Sequence, residues 1–285
     1  MRFRSLISLV LSLTAVLAAG TPEWDRAHEL YQRTEYKQSL AILLPLKNQD
    51  ASTLQLIGQS YFMLGDYKKA SESFEKAIPL APQSSELYHW LGRAYGRRAE
   101  MATIFSAPSL ASKTRQMFER AVQLDPKNSE ALDDLFDYYL QAPGFLGGGI
   151  QKAEEVARHI AKLDEAQGYY AQAQLNDKRN EYQAAEEQLR HAAEIAPREA
   201  SRIIDLAKYL AKRGHTKESD AMFAQAAKVA PDSPKVLFER ADTYIRERRN
   251  LSDARQLLQR YLTSQLTPDD PPREQAQELL KKIDR

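Results

Sequence analysis

The stretch that decides the fold is residues 51–84, ASTLQLIGQSYFMLGDYKKASESFEKAIPLAPQS. It places small, apolar and aromatic residues at helical spacings and ends in a proline: Leu54, Ile57, Gly58, Tyr61, Ala70, Phe74, Ala77 and Pro82. Further along, Pro197 and Pro231 recur at an interval of about 34 residues, and each follows the end of a helical pattern. Because a fixed period of this length indicates a repeat architecture, the sequence predicts an all-α chain of repeated helical hairpins.

Copies of this pattern cover nearly the whole chain. The predicted repeats are residues 22–50, 51–84, 85–128, 129–165, 166–199, 200–233 and 234–268. The pattern resembles that of the tetratricopeptide repeat (TPR), with leucine at residue 54 where the family has tryptophan. The resemblance implies a right-handed α-solenoid of about seven helix-turn-helix repeats, each stabilised by stacking on its neighbours. An amphipathic segment at 271–283 is expected to be the C-terminal capping helix.

The first twenty residues predict export. Arg2 and Arg4 precede an apolar run at 6–17, and small residues follow at 18–20. This order is typical of a signal peptide, so residues 21–285 are expected to be the exported, periplasmic or secreted solenoid. The alternative is an uncleaved membrane anchor, but the run is shorter than the ~20 apolar residues that span a bilayer. After cleavage we expect no stable membrane insertion.

Composition and motifs argue against several classes of function. The chain has 40 Lys and Arg against 39 Asp and Glu, so no net charge favours nucleic acid, and the absence of cysteine excludes thiolate chemistry. The five histidines are scattered over different helices, and no metalloprotease, nucleophile-elbow or phosphate-loop motif occurs. The sequence therefore predicts a protein that is not an enzyme and has no metal or cofactor.

The resemblance also implies a binding site, because the first helix of each tetratricopeptide repeat lines a concave groove. Carried over position by position, the groove-facing residues are Gln55, Gln59, His89, Arg93, Asp133, Asp137, Tyr170 and Gln174. The same positions in the next two repeats are Ile204, Lys208, Phe238 and Asp242. The first four do not reproduce the Lys and Asn clamp with which some members hold acidic chaperone tails, so that specificity is not expected.

An acidic segment lies in the fourth repeat. Asp133 and Asp137 share a helical face, and no Lys or Arg occurs between Lys127 and Lys152. The two carboxylates are candidates for receiving a basic peptide or, with less support, a calcium ion, although the ligand alternation of a calcium loop is missing. The competing interpretation is that they are solvated or pair internally with Arg93 or Arg97.

Two interruptions of the period predict insertions in the third and fourth repeats, at 97–113 and 142–149. Both fall between the two helices of their repeat, so stacking should place them on one edge of the solenoid, with Phe105 and Phe145 in them. These apolar residues either form a lip for a partner or pack on each other. The sequence around the interruptions resembles that of a subgroup of exported bacterial TPR proteins, which suggests a bacterial, periplasmic protein.

The leading functional prediction is a non-catalytic scaffold or adaptor of the cell envelope that binds a segment of a protein partner in its groove. A structural subunit that assembles through its edge insertions is the first alternative. An accessory binder of cell-wall polymer is the second.

Overall fold

Residues 21–283, which the computed structural model describes, form fifteen α-helices and no strand. The predicted signal peptide lies outside the described residues. The helices are α1 (Pro22–Gln32), α2 (Tyr36–Leu43), α3 (Ala51–Met63), α4 (Tyr67–Ala77), α5 (Ser85–Glu100), α6 (Ala107–Leu124), α7 (Ser129–Gln141), α8 (Ile150–Leu163), α9 (Glu165–Lys178), α10 (Tyr182–Ile195), α11 (Ala200–Lys212), α12 (Thr216–Val229), α13 (Pro234–Arg246), α14 (Leu251–Thr263) and α15 (Arg273–Ile283).

Consecutive helices pair into seven hairpins, from α1 with α2 to α13 with α14, and α15 packs on the last pair. The first helices of neighbouring hairpins also contact one another, as α5 does with α7 and α11 with α13. The first helices therefore line the inner, concave side of the stack. The prediction of an all-α solenoid of helical hairpins is confirmed.

Side-chain caps fix the starts of the first helices. The side chains of Asp50, Ser84, Asn128 and Asp164 each accept a hydrogen bond from the backbone N–H three residues further on. Each such cap contributes about 1 kcal/mol and sets the angle at which the chain enters the hairpin. Three of these residues end a predicted repeat and Asp164 precedes such an end by one residue, so the repeat period also sets the helix boundaries.

Close approach of the two helices depends on glycine in the second and third hairpins. A Cβ atom on Gly58 would lie 2.5 Å from the ring of Phe74, and one on Gly92 would lie 2.6 Å from the ring of Phe118. Both phenylalanines are buried. A large ring on one helix therefore packs directly against the backbone of the other, which no larger residue at the glycine would allow.

The insertion at 97–113 does not form a long loop. Helices α5 and α6 have 16 and 18 residues, and they lengthen to absorb most of the extra sequence. Only residues 101–106 connect them. Leu110, which falls within the predicted insertion, packs against the core of the second and third hairpins. Helix propagation adds one backbone hydrogen bond per residue, which favours extended helices over an unpaired loop.

The capping helix begins at Arg273, two residues later than the predicted start at 271. The Asp270 carboxylate accepts hydrogen bonds from the N–H and hydroxyl of Thr267, so it closes a turn rather than capping a helix. Leu279 of α15 is buried against the last hairpin. The segment thus covers the apolar end of the stack, as a repeat array requires.

The two ends of the solenoid meet. The guanidinium of Arg273 donates hydrogen bonds to the backbone oxygens of Leu262 and Ser264, and to the Thr34 hydroxyl oxygen at 3.3 Å. Residues of both ends line a cleft of about 990 Å³ between them. The superhelix therefore closes through a contact between residues 239 positions apart.

Replacing Arg273 with alanine is expected to lower the free energy of unfolding by about 1–2 kcal/mol, because hydrogen bonds from a charged group are lost. The substitution should also broaden the distribution of distances between the two ends of the solenoid. Because the chain has no native cysteine, cysteines introduced at residues 37 and 278 can carry spin labels. Double electron–electron resonance then measures the distance between the two labels. The variant Lys281→Ala, at an exposed residue of the same helix, should change neither quantity. An unchanged distance distribution in Arg273→Ala would show that other contacts hold the ends together.

Candidate functional site

A cleft of about 660 Å³ lies on the concave side, in the C-terminal half of the stack. It is lined by residues of α7, α9, α11 and α13, with Leu189 of α10 behind them. Of the eight predicted groove residues, Tyr170 and Gln174 line this cleft. Lys208 and Asp242, the positions carried over in the last two repeats, line it as well.

Tyr170 lies near carboxylates of the first helices that precede and follow its own in the stack. Burial raises the pKa of its hydroxyl above the ordinary range, and the charges of Asp205 and Asp137 raise it further. Asp137 belongs to α7, Tyr170 to α9 and Asp205 to α11. Tyr170 and Asp205 therefore line the cleft together, and Asp137 lies near Tyr170 without lining the cleft itself.

The two acids are incompletely compensated by cations. Burial raises the pKa of Asp205 to about 6, although Arg202 at 3.6 Å and Lys208 oppose the shift. For Asp137, restricted access of water raises the pKa to about 6, and the charges of Asp134 and Asp133 add to this. Asp137 retains accessible surface, but it lies in a concavity where protein atoms displace much of its water. Among the described residues Asp137 forms no ion pair.

The other acids of the segment are used internally, with a different assignment from the predicted one. Asp134, rather than Asp133 or Asp137, lies near Arg93, with 3.9 Å between Arg93 Nε and Asp134 Oδ2. The same carboxylate oxygen forms a 2.8 Å hydrogen bond with His89 Nε2. Asp133 accepts a 2.7 Å hydrogen bond from Gln167 of the next repeat. Successive residues of a helix point about 100° apart, so residue 134 turns toward α5 while residue 133 turns toward α9.

The N-terminal half of the predicted groove is less open. His89 is 1% exposed and lies beneath the surface, where a partner cannot reach its side chain. Arg93 stacks on the Trp90 ring at 4.3 Å, and Gln59 donates to Glu86 at 3.4 Å. Gln55 is half-buried. These four residues do not line the 660 Å³ cleft.

The sixth and seventh repeats differ from the carried-over positions by a small helix rotation. Ile204 and Phe238 are buried rather than groove-facing. Asp205, which no family position indicated, faces the cleft instead. The available signal was a single acid within the apolar run Ile203 to Ala207, where a buried charge is costly unless it serves a purpose.

Ion pairs join neighbouring first helices along the floor of the cleft. Lys212 of α11 contacts Asp177 of α9 at 2.7 Å, and Lys208 of α11 contacts Glu239 of α13 at 2.6 Å. These pairs are partly exposed, so each contributes at most about 1 kcal/mol to stability. Of the carboxylates that influence Tyr170 most, Asp205 lines the cleft and lies 3.6 Å from Arg202, and Asp137 lies beside the cleft without an ion pair among the described residues.

Phe105 and Phe145 are exposed at the edge, at 93% and 82%. The expectation that the apolar residues of the insertions pack on each other does not describe these two side chains. The Phe145 turn is tight: a Cβ on Gly148 would lie 1.8 Å from the carbonyl oxygen of Ala142, and Tyr138 donates to the Leu146 carbonyl.

Within residues 21–283 no cluster of three or more His, Asp or Glu side chains has a geometry that could hold a metal ion. None of the helices in that range combines the length and the apolar character needed to cross a bilayer.

A curved stack of two-helix units, with first helices lining a groove and a polar terminal helix, defines the class of α-helical repeat scaffolds. Sequence profiles identify the family within this class. A profile described as TPR repeat matches residues 58–98, and two described as tetratricopeptide repeat match residues 166–199 and 204–271. The chain belongs to the tetratricopeptide repeat family and is a scaffold for protein–protein interaction.

Solved structures agree on the fold. A tetratricopeptide repeat protein from Parabacteroides merdae is 14% identical, with a TM-score of 0.59 over 92% of this chain and 98% of its own. A thermophilic TPR protein from Thermus thermophilus is 20% identical, with a TM-score of 0.54 over 66% of this chain and 97% of its own. At these identities the likeness concerns the fold alone. No curated protein sequence matches this chain.

Proposed function

We propose that this chain is an adaptor of the bacterial cell envelope that binds an extended segment of another protein in the 660 Å³ cleft. The observation that carries the proposal is that Tyr170 and Asp205 line this cleft and Asp137 lies beside it, which provides two carboxylates with accessible surface and incomplete compensation. The envelope location rests on the basic and apolar pattern of the first twenty residues.

The chemistry of the cleft favours a basic side chain in the bound segment. A Lys or Arg of the segment would be the first cation to pair with Asp137, and it would add to the partial compensation that Arg202, which lies over the Tyr170 ring at 6.0 Å, already gives Asp205. Hydrogen bonds to charged groups are about twice as strong as those between neutral groups. Gln174, which shares a hydrogen bond with Asp137, is placed to bond the backbone of the same segment.

The dimensions favour an extended conformation. The cleft crosses four first helices, and packed helices lie about 8–10 Å apart, so it spans roughly 25–30 Å. An extended chain covers this length with about 8–9 residues. A helix that covers the same length would need about 17–20 residues, so the extended conformation spans the cleft with the shorter segment.

Site-specific photo-cross-linking tests groove binding for a partner of any identity. A photoreactive amino acid replaces Gln174 in the cleft, or Glu187 on the exposed side of α10 as the matched control. We expect a discrete cross-linked protein from position 174 and none from position 187. Sequencing of the cross-linked peptide should find a Lys or Arg. Cross-links that form only from position 187, or from neither position, would contradict groove binding.

A further inference from the structure

The third hairpin projects beyond its neighbours. Its helices have 16 and 18 residues, whereas those of the second and fourth hairpins have between 11 and 14. Three extra residues on α5 lengthen it by about 4.5 Å relative to α3. The connection at 101–106 therefore stands out from the edge of the solenoid as a convex tip.

The tip is apolar. Met101, Ile104 and Phe105 are 74%, 82% and 93% exposed, and together with Phe145 they are the four most exposed large apolar side chains of the described residues. Keeping such a cluster in water is costly, and larger exposed apolar patches usually mark an interaction site.

The turn with Phe145 lies on the same edge. This turn contacts α6, and a Cβ on its Gly147 would lie 2.8 Å from Arg115 Nε of that helix. Since Arg115 lies about two turns from the start of α6, the two apolar tips are separated by roughly 12 Å along the helix. They form one apolar edge, which we define as Met101, Ile104, Phe105 and Phe145.

The charges near this edge are predominantly positive. No Asp or Glu occurs between Glu100 and Glu119, or between Asp137 and Glu154. Lys113 and Lys152 lie within these two segments, and Arg97 and Arg98 lie in the last turn of α5. Glu100, the last residue of α5, is the acid nearest the tip, and it pairs with Arg97. The whole chain has nearly equal numbers of acidic and basic residues, so the excess of Lys and Arg around the apolar edge is local.

The shape of the edge distinguishes a lipid surface from a protein partner. Convex, isolated side chains fit a second protein only if that protein has matching pockets, whereas a fluid bilayer interface accepts them without shape complementarity. Aromatic and aliphatic side chains that enter the acyl boundary, flanked by Lys and Arg that meet anionic headgroups, are the pattern of peripheral interfacial binding.

We propose that the apolar edge docks the protein onto the surface of an anionic bilayer, with Ile104, Phe105 and Phe145 entering the interface. The contact is peripheral and reversible, since it involves a few side chains rather than a helix. It leaves the concave cleft free, so the chain can hold a partner segment beside a membrane. This proposal does not depend on the proposed groove function.

Vesicle co-sedimentation tests the docking. Residues 21–285, which contain every hairpin described, are mixed with vesicles of phosphatidylcholine alone or with about 30% phosphatidylglycerol, whose negative surface attracts Lys and Arg. We expect binding to the anionic vesicles that is several-fold stronger than to the neutral ones. The double variant Ile104→Asp with Phe105→Asp should bind the anionic vesicles at least tenfold more weakly.

The matched control places the same charges on the opposite edge. Leu80 and Ile195 are also exposed apolar residues, but they lie where second helices end, and Leu80→Asp with Ile195→Asp should bind as the parent does. Thermal unfolding of both double variants should match the parent, because the substituted side chains are exposed. A fluorophore on Phe105→Cys, introduced into a chain without cysteine, should report transfer to an apolar environment.

Three outcomes would overturn the proposal. The first is no binding to anionic vesicles. The second is equal loss of binding in the tip and control variants. The third is a dimer of the parent that the tip variant converts to a monomer, measured by light scattering, which would show that a second copy covers the edge.

Discussion

Gly168→Ala is expected to lower the free energy of unfolding by about 2 kcal/mol, the usual scale for overpacking at a close contact. A Cβ at this position would lie 2.5 Å from the Cβ and 2.6 Å from the Cα of Ala161. Helix α8 ends at Leu163 and α9 begins at Glu165, so a single residue connects them and the first turn of α9 is held against the last turn of α8. The contact is with backbone, which cannot move without separating the two helices.

Gly96→Ala is the matched control, because Gly96 is also helical but a Cβ there would meet only the Thr114 side chain at ordinary contact distance, 3.5 Å. It should raise stability by up to about 1 kcal/mol, the difference in helix propensity between Gly and Ala. Urea unfolding followed by circular dichroism gives both values. If Gly168→Ala is as stable as Gly96→Ala, the close packing of α8 against α9 is not maintained in solution.

Asp137→Asn and Asp205→Asn are expected to weaken binding of a basic segment while stabilising the free protein. Each carboxylate is partly desolvated without full compensation, so its neutral isostere removes an unfavourable charge from the folded state. The same charge is what a Lys or Arg of the partner would meet, and losing a hydrogen bond to a charged group costs about 1.5–3 kcal/mol. We therefore expect each variant to bind roughly tenfold more weakly or worse.

Peptides of about nine residues with a central Lys or Arg, selected from a random display library on the purified chain, provide the probe. Fluorescence anisotropy measures their affinity for the parent and for each variant. Asp220→Asn, on the outer helix α12 and paired with Arg249, is the control and should leave affinity unchanged. Selection of peptides without enrichment in Lys or Arg would count against the assignment of the acidic pair.

Stability and peptide affinity are expected to depend on pH with opposite sign. The folded-state pKa of Asp205 is raised to about 6 from an ordinary value near 4, so its contribution to stability is complete below pH 4 and is lost as pH rises through 6. Two pKa units correspond to at most about 3 kcal/mol, and Asp205→Asn should gain stability over the parent across that interval. Peptide affinity should instead fall as pH decreases through 6, because protonation removes the charge that binds the cation. Asp137, with its greater exposure, should follow the same directions with a smaller stability effect.

The repeat fold could be predicted because its signal is local and recurs. Each repeat unit carries its own helical spacing, caps and terminal proline, and a hairpin forms wherever that pattern occurs. The groove positions were less secure because they depend on helix rotation. A rotation of less than one residue brought Asp205 into the cleft and buried Ile204, and it turned Asp134 rather than Asp133 toward Arg93. The family's spacing fixes the sequence register but not the rotation of each helix against its neighbours.

The two insertions also could be predicted only in part from the sequence. Their place on one edge followed from the sequence, since both interrupt the same turn of consecutive repeats. Whether Phe105 would pack or remain exposed was left open, because it depended on how far α5 and α6 extend. Lengthening of those helices carried the tip away from the neighbouring hairpins that would have covered it.

The sequence by itself determined the helices, their pairing into hairpins and the order of the stack, since these depend on contacts within one repeat and its neighbour. Only the tertiary structure decided the contact of Arg273 with Thr34 and the grouping of Asp137, Tyr170 and Asp205. The contact between the ends is a consequence of superhelical curvature, which sums small rotations over successive repeats, so residues far apart in the chain meet without any local signal in their sequence. The grouping of the two acids with Tyr170 depends instead on the rotation of each first helix against its neighbours, which the repeat spacing does not specify.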